Sequence, residues 1–431
     1  MKNKKGFISM TLVYSFLIIF LFLLLAILRI YSENNKFLMT IDEMVNNDLE
    51  NIRLTRSNLI TIILQDNVPF DSSKIDVNTI AGGEIGNGNG LYYTDDSGIT
   101  DENNDRLTSR IYYFRGSVAN NFVLIKNNNT CWRIVRTNED GSIRMVYYGL
   151  ADSNKHCSTS SPLTLNETVG SEETHTVNFE ETTTIKFNEH GNDRKFVGYM
   201  FDRNAGSYYL TDGGSICTSG CSSNVKNKLE DWYYLNFAER GINSLIADGI
   251  FCSNHEGGNN TGTITFAKYN ARTYKCLIEN DRLRLYKYNG GSMDVGTSLF
   301  RPIGLLTAPD VYFAGGGYNV PNNNYYLSYM KDAWLMTPYS YSNAGGAEVL
   351  TIADSTYRNP SKPNTDYTGA VVPKSVISTA TVYPVVSLKP TVKVLGGSGL
   401  AANPYIVGKD LGTGEEGWEK KVLFLWKPLW F

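Results

Sequence analysis

Six cysteines are the most chemically capable residues of the chain: Cys131, Cys157, Cys217, Cys221, Cys252 and Cys276. Thiolates can attack carbonyls, ligate metal or pair as disulfides. An even number, all C-terminal to residue 130, favours disulfides in an oxidising compartment. The expected pairing is local: Cys131–Cys157, Cys217–Cys221 and Cys252–Cys276. The competing chemistry is zinc. Cys217 and Cys221, three residues apart, would join Cys252 and His255 as four N/S ligands, although that spacing is irregular.

The four histidines, His156, His175, His190 and His255, fall in polar segments. No G-x-S-x-G, H-E-x-x-H or Walker pattern is present. The acidic pairs Glu172/Glu173 and Glu230/Asp231 read as solvated charges. Without a nucleophile–base constellation, no catalytic residue, metal or cofactor is expected, and the chain does not read as an enzyme. Three Asn-x-Thr triplets begin at Asn128, Asn166 and Asn259, and read as loop asparagines. The Gly-, Asp- and Asn-rich stretch 66–109 invites a calcium-loop reading. It lacks the twelve-residue EF-hand spacing and its terminal glutamate, so a linker is expected.

Composition limits the partners. The 431 residues carry 40 Lys+Arg against 43 Asp+Glu, a net charge of −3, which excludes a strongly basic nucleic-acid binder. An aromatic content of 12%, including 28 tyrosines, is enough to build a core.

The elements that must position these residues begin with an apolar run. Met1–Gly6 carries Lys2, Lys4 and Lys5, and Phe7–Leu28 carries no charge. As a helix that run reaches about 33 Å, enough for a hydrocarbon core of about 30 Å. The basic leader places the N-terminus in the cytoplasm and the remainder outside. Membrane lipid is thus an expected partner. Apolar residues at Phe37, Leu38, Ile41, Met44, Val45, Leu49 and Ile52 then mark one stripe of an amphipathic helix.

The head follows from Arg110. IYYFRG, NFVLIK, CWRIVR and SIRMVYYG are short β-branched and aromatic runs, with a hairpin signal at Glu139-Asp140-Gly141. Residues 158–190 read as a surface insertion. A helix is expected over about 222–248, capped by Ser222 or Ser223, with Val225, Leu229, Trp232, Tyr233, Leu235 and Phe237 on its apolar face. A second is expected over Ala308–Ala314, with Pro309 in its first turn and Gly315 as its stop. AWLMTP, VYPVVSLKPTVKVLGG and NPYIVG return to strands. Trp132, Trp232 and Trp334 each sit in an apolar run and read as core anchors rather than sugar-stacking rings. A cleft lined by outward-facing tyrosines near the loops is the expected place for a ligand. The tail, with Trp418, Trp426 and Trp430, is too interrupted to span a membrane and fits an interfacial or partner-binding strip.

Two resemblances add to this reading. Lys4-Lys5-Gly6-Phe7 ahead of the apolar run resembles the leader of type IV prepilins. It implies a prepilin peptidase that cuts after Gly6, methylation of Phe7, and pilus-like assembly subunits as partners. Thr11 stands where that family carries a glutamate, so a minor, tip-type subunit is implied. The phrases CWRIVRTNEDGSIRMVYYG, LEDWYYLNF, PIGLLTAPDVYFAGGG, AWLMTPYS and YPVVSLKPTVKVLGGSGLAANPYIV resemble C-type-lectin-like heads of Gram-positive gut-bacterial surface proteins, distant relatives of the formylglycine-generating-enzyme fold. That resemblance implies a mixed α+β head over 110–407 with short strands, two helices and long ordered loops; it does not imply sugar binding, and a surface glycan or protein is expected only as the kind of partner that adhesion or extracellular binding would use. The cysteine chemistry of the formylglycine-generating relatives is not implied, because no cysteine follows Cys276.

The expected organisation is a basic leader (1–6), a transmembrane helix (7–30), an amphipathic stalk helix (31–65), a linker (66–109), a head (110–408) and an irregular tail (409–431). The fold class is α+β, a long N-terminal transmembrane and stalk helix plus a head with short strands and two helices. The protein is expected in the cell membrane, single-pass, with its head outside. A plain anchored ectodomain with a structural role is the alternative, and an extracellular enzyme on the same fold is the third reading.

Overall fold

The computed structural model describes residues 18–24, 29, 57–95, 110–161, 184–201, 221–252, 264–265, 272–274, 276, 282–285, 298–299 and 301–409. The chain divides into two units, residues 1–56 and 57–431.

In the first unit, residues 18–24 are helical with exposed side chains. Among the described residues no helix is long and apolar enough to cross a membrane. The expected single-pass anchor, and the membrane location built on it, is corrected accordingly. Gly6, Phe7, Thr11 and residues 31–56 lie outside the described residues.

The second unit begins at Ser57. It forms α1 (Leu59–Asp66), β1 (Phe70–Asp71) and β2 (Gly90–Thr94). Four strands follow: β3 (Ile111–Arg115), β4 (Phe122–Ile125), β5 (Thr130–Thr137) and β6 (Ile143–Leu150). After β7 (Thr184–Lys186) come β8 (Met200–Phe201), β9 (Cys221–Ser222) and α2 (Asn224–Tyr233). The short strands β10 (Phe251–Cys252), β11 (Ile264–Thr265), β12 (Arg282–Leu285) and β13 (Ser298–Leu299) lead to α3 (Ala308–Ala314). The chain then returns to strands: β14 (Ala333–Ser342), β15 (Gly346–Ile352), β16 (Val371–Ser375), β17 (Thr379–Thr381), β18 (Val385–Leu388) and β19 (Tyr405–Val407).

Strands dominate. One sheet runs β1-β2-β3-β5-β4-β19, with β6 joining β5 to β18; the other runs β16-β15-β14-β17-β7, with β11 on β14. The α+β expectation is therefore corrected to a mainly β fold with short helices. The stalk fails for a packing reason. Leu59, Ile62 and Ile63 of α1 are buried, and the Leu59 amide donates to the Val392 carbonyl at 2.9 Å. Residues 59–65, the end of the segment read as stalk, are thus packed within the second unit, and no long N-terminal helix is present among the described residues.

Residues 66–95, read as linker, also join this unit. β2 pairs antiparallel with β3 over five residues, and the Ala81 amide donates to the Gly315 carbonyl at 2.9 Å. Fully buried Arg115 donates from Nη2 to the Thr79 carbonyl at 2.6 Å. The glycines that suggested a flexible tether instead let the backbone fold onto itself. Gly88 has φ +109°, and a Cβ there would collide with the Gly82 carbonyl. The expected insertion is likewise shorter at its C-terminal end. β7 pairs with β17, and Phe187 is buried edge-on to Trp334, 5.6 Å between ring centres.

The two expected helices differ in outcome. α2 starts as read, with Ser223 Oγ accepting from the Lys226 amide. It stops at Tyr233, and a wider π turn covers Tyr234–Ala238. α3 spans the expected residues. A reciprocal Thr307–Asp310 capping box opens it, with Pro309 in the first turn, and Gly315 closes it at φ +115°. Trp132 and Trp334 are fully buried and Trp232 nearly so. Trp132 packs against Trp232 and Phe237 at about 6 Å between ring centres.

Candidate binding surface

A half-buried aromatic cluster lies on the second sheet. β14 and β15 form a hairpin in which Ser340 faces Glu348 and Pro338 faces Val349. Two residues on β14 thus oppose one step on β15, a bulge that leaves Tyr339 as the extra residue. Pro338 favours such a break because it cannot donate to a ladder. The Tyr339 ring is half-buried there.

Tyr318 meets it from a tight turn. Gly317 and Val320 bridge across that turn, and Asn319 takes the left-handed conformation at φ 53°. The turn is tied to β16: the Val371 amide donates to Gly317, and the Asn319 amide to Val371. The Tyr318 and Tyr339 rings are 28° from parallel with centres 6.0 Å apart, and their hydroxyls are 2.9 Å apart. Two half-buried rings are therefore stacked on each other and joined through their hydroxyls.

Tyr357 arrives on the loop between β15 and β16. That loop is closed at its base, where the Ala353 amide donates to Ala370 and the Gly369 amide to Ala353. Tyr357 stands edge-on to buried Tyr367, 5.6 Å between centres. Burial pushes the Tyr357 hydroxyl above its ordinary pKa, and Tyr367, Glu348 and Tyr339 add to the shift. Asp354 holds the loop turn. Burial works against its charge, but hydrogen bonds from Thr356 and Tyr357 outweigh that and lower its pKa.

One carboxylate belongs to this surface. Glu348 Oε2 accepts from Ser340 Oγ at 2.6 Å across the hairpin. The neighbouring cations are engaged: Lys374 Nζ contacts both Asp332 oxygens at 2.5 and 2.7 Å, and Arg358 Nη1 donates to the Ser355 and Tyr357 carbonyls. The arrangement offers apolar ring faces, hydroxyls and one negative charge on a rigid frame.

The expected site residues fall elsewhere. Cys131 pairs with Cys157 and Cys252 with Cys276, with Cα atoms 5.7 and 5.2 Å apart. Cys217 lies outside the described residues, as does the 217–221 pairing. Cys252 is in a disulfide and so is not a thiolate for zinc. His175 and His255 lie outside the described residues. Among the described residues no group of three His, Cys, Asp or Glu is placed to hold a metal ion. His156 Nδ1 lies 3.5 Å from Asp152 on a surface turn. Glu230 bonds to Lys226 Nζ at 2.8 Å within α2.

A buried charge cluster was not anticipated. Asp310 is fully buried, 2.9 Å from Arg136 Nε and 3.7 Å from Arg144 Nη1. Burial pushes its pKa up, but Arg136, Arg144 and the Thr307 amide outweigh this and hold it below 3.8. Burial lowers Arg144 to about 10, with Arg136 adding to the effect. Both Asp310 oxygens are occupied, since Oδ2 also accepts from the Thr307 amide and Oγ1. The cluster ties α3 to β5 and β6.

Comparison with protein-family models, with curated proteins and with solved structures finds no match to this chain.

Proposed function

We propose that this is a non-catalytic binding protein, built for an oxidising environment, whose ligand contacts the Tyr318–Tyr339–Tyr357–Glu348 surface. The observation that carries the reading is the bulge at Tyr339. It places a large aromatic at a break in the hairpin ladder, and a separately anchored turn stacks Tyr318 against it. Half-buried tyrosines supply contact area at small entropic cost and are enriched in binding sites. Two disulfides support the oxidising setting. The resemblance of the 110–407 phrases to C-type-lectin-like heads points the same way.

The test screens the full chain against immobilised glycans and peptides, beside Tyr318→Ala and Tyr339→Ala. Loss of the leading ligand in both variants, at unchanged unfolding midpoint, supports the surface. Unchanged binding removes it.

A further inference from the structure

We infer that the Arg133 guanidinium is a binding site for a carboxylate group. The site belongs to the first sheet and uses none of the residues of the tyrosine cluster.

Arg133 sits on β5 opposite Phe122 of β4, and it is 6% exposed. A buried charge is costly without a counter-charge. Elsewhere in the fold the chain supplies one: Arg136 and Arg144 share Asp310, and fully buried Lys226 reaches Glu230 at 2.8 Å. Arg133 is served differently. Its Nε donates to Asn121 Oδ1 at 2.6 Å and its Nη2 to the Val118 carbonyl at 2.8 Å, both neutral acceptors. Burial lowers its pKa to about 10, so it stays cationic at neutral pH. The groups that act on its charge are the Tyr329, Tyr326 and Tyr148 hydroxyls, with neither a carboxylate nor a second cation among them.

The remaining donors set the shape of the ligand. A guanidinium carries five N–H groups in a planar fork. Nε and Nη2 spend one each, which leaves both protons of Nη1 and the second of Nη2. Nη1 has no acceptor among the described residues and is not enclosed, so it meets solvent. Parallel N–H groups on the Nη1–Nη2 edge match the two oxygens of a carboxylate. A spherical halide does not match a flat edge, and a phosphate or sulfate brings up to two charges to one cation. Aromatic rings hold the fork in place. The ring centres of Phe122, Tyr326 and Tyr148 lie 4.0, 5.2 and 6.0 Å from Cζ. Tyr148 stands edge-on to Phe122 and to Tyr329, whose hydroxyl donates to the Tyr147 carbonyl at 2.7 Å. The Tyr326 hydroxyl is buried without a partner and adds a donor to this group. In such a low-dielectric setting a charge-assisted pair is stronger than in water.

The experiment titrates the oxidised full chain with sodium acetate by calorimetry, beside sodium chloride and sodium phosphate at matched ionic strength. Saturable acetate binding that chloride and phosphate do not reproduce is expected. Arg133→Lys keeps the charge but loses the fork, and should weaken acetate about tenfold or more, as loss of one charge-assisted hydrogen bond does. Arg110→Ala removes an exposed arginine paired with Asp95 and should bind as the parent does. If Arg133→Lys does not fold, isotopic labelling of arginine in the parent, read by NMR, takes its place. Acetate should then move an arginine Nε–H signal saturably, and no movement overturns the site. Equal acetate binding in folded Arg133→Lys also overturns it, as does an acetate response no larger than that of chloride. Phosphate binding without acetate binding overturns the carboxylate class.

Discussion

Removal of the Asp310 carboxylate should be among the most damaging single changes to one side chain in the second unit. Asp310 is fully buried between Arg136 and Arg144, which are 4% and 1% exposed. Asp310→Ala leaves two guanidinium groups buried without their shared counter-ion. Breaking a buried ion pair on one side costs about 3–5 kcal/mol. The same change removes half of the α3 capping box, a further ~1 kcal/mol. Because the two losses share one carboxylate they do not fully add, and the expected cost is about 4 kcal/mol. Asp310→Asn keeps the shape and a capping oxygen but loses the charge, so it separates the two parts. Urea unfolding of the oxidised chain is the assay: the midpoint should fall with an unchanged slope.

The pH dependence has a definite sign. The folded pKa of Asp310 lies below its unfolded value of 3.8. Its stabilisation is therefore fully present above pH 3.8 and is lost as pH falls through the folded value. Asp310→Asn should flatten that acid limb. A loss under about 1 kcal/mol at neutral pH, in the range of an exposed pair, would refute the counter-ion argument.

Other expected outcomes follow from the same physics. Replacing Cys252 and Cys276 by serine opens a loop with a sequence separation of 24 residues and should cost about 3 kcal/mol by the chain-entropy relation, read as a lower denaturant midpoint. Gly88→Ala forces a left-handed residue against the Gly82 carbonyl, and should destabilise by more than the ~1 kcal/mol of an ordinary Gly-to-Ala effect, with faster proteolysis near the 82–90 loop. Trp334→Ala empties a fully buried site against Phe187 and should cost about 3–5 kcal/mol by denaturation.

Local signals were the legible ones. Pro309 and Gly315 bracket α3 because caps and breakers act over one turn. The runs containing Tyr113, Leu124, Ile134 and Met145 are rich enough in β-branched and aromatic residues to read as strands β3 to β6. The pairings Cys131–Cys157 and Cys252–Cys276 follow from closeness along the chain. What escaped is non-local. Asp310 and Arg136 are 174 residues apart, and no periodicity links them. The segment read as stalk gave no sign that Leu59 and Ile62 are buried or that the Leu59 amide bonds to Val392, because an apolar stripe says only that a partner exists. The glycines of 82–90 have the composition of a tether, while their positive φ values serve a packed turn. Tyr339 had a weak signal: Pro338 interrupts the alternation in AWLMTPYSYS, and a broken alternation turns a side chain to the other face. Its partner Tyr318, 21 residues earlier, is brought in only through β16.

The central claim is that the tyrosine cluster contacts the ligand, and the most direct measurement is the dissociation constant of the leading ligand for the parent chain and for Tyr339→Ala, each with its unfolding midpoint. A weakening of about tenfold or more at an unchanged midpoint is the predicted result. Equal dissociation constants for the two proteins would contradict it.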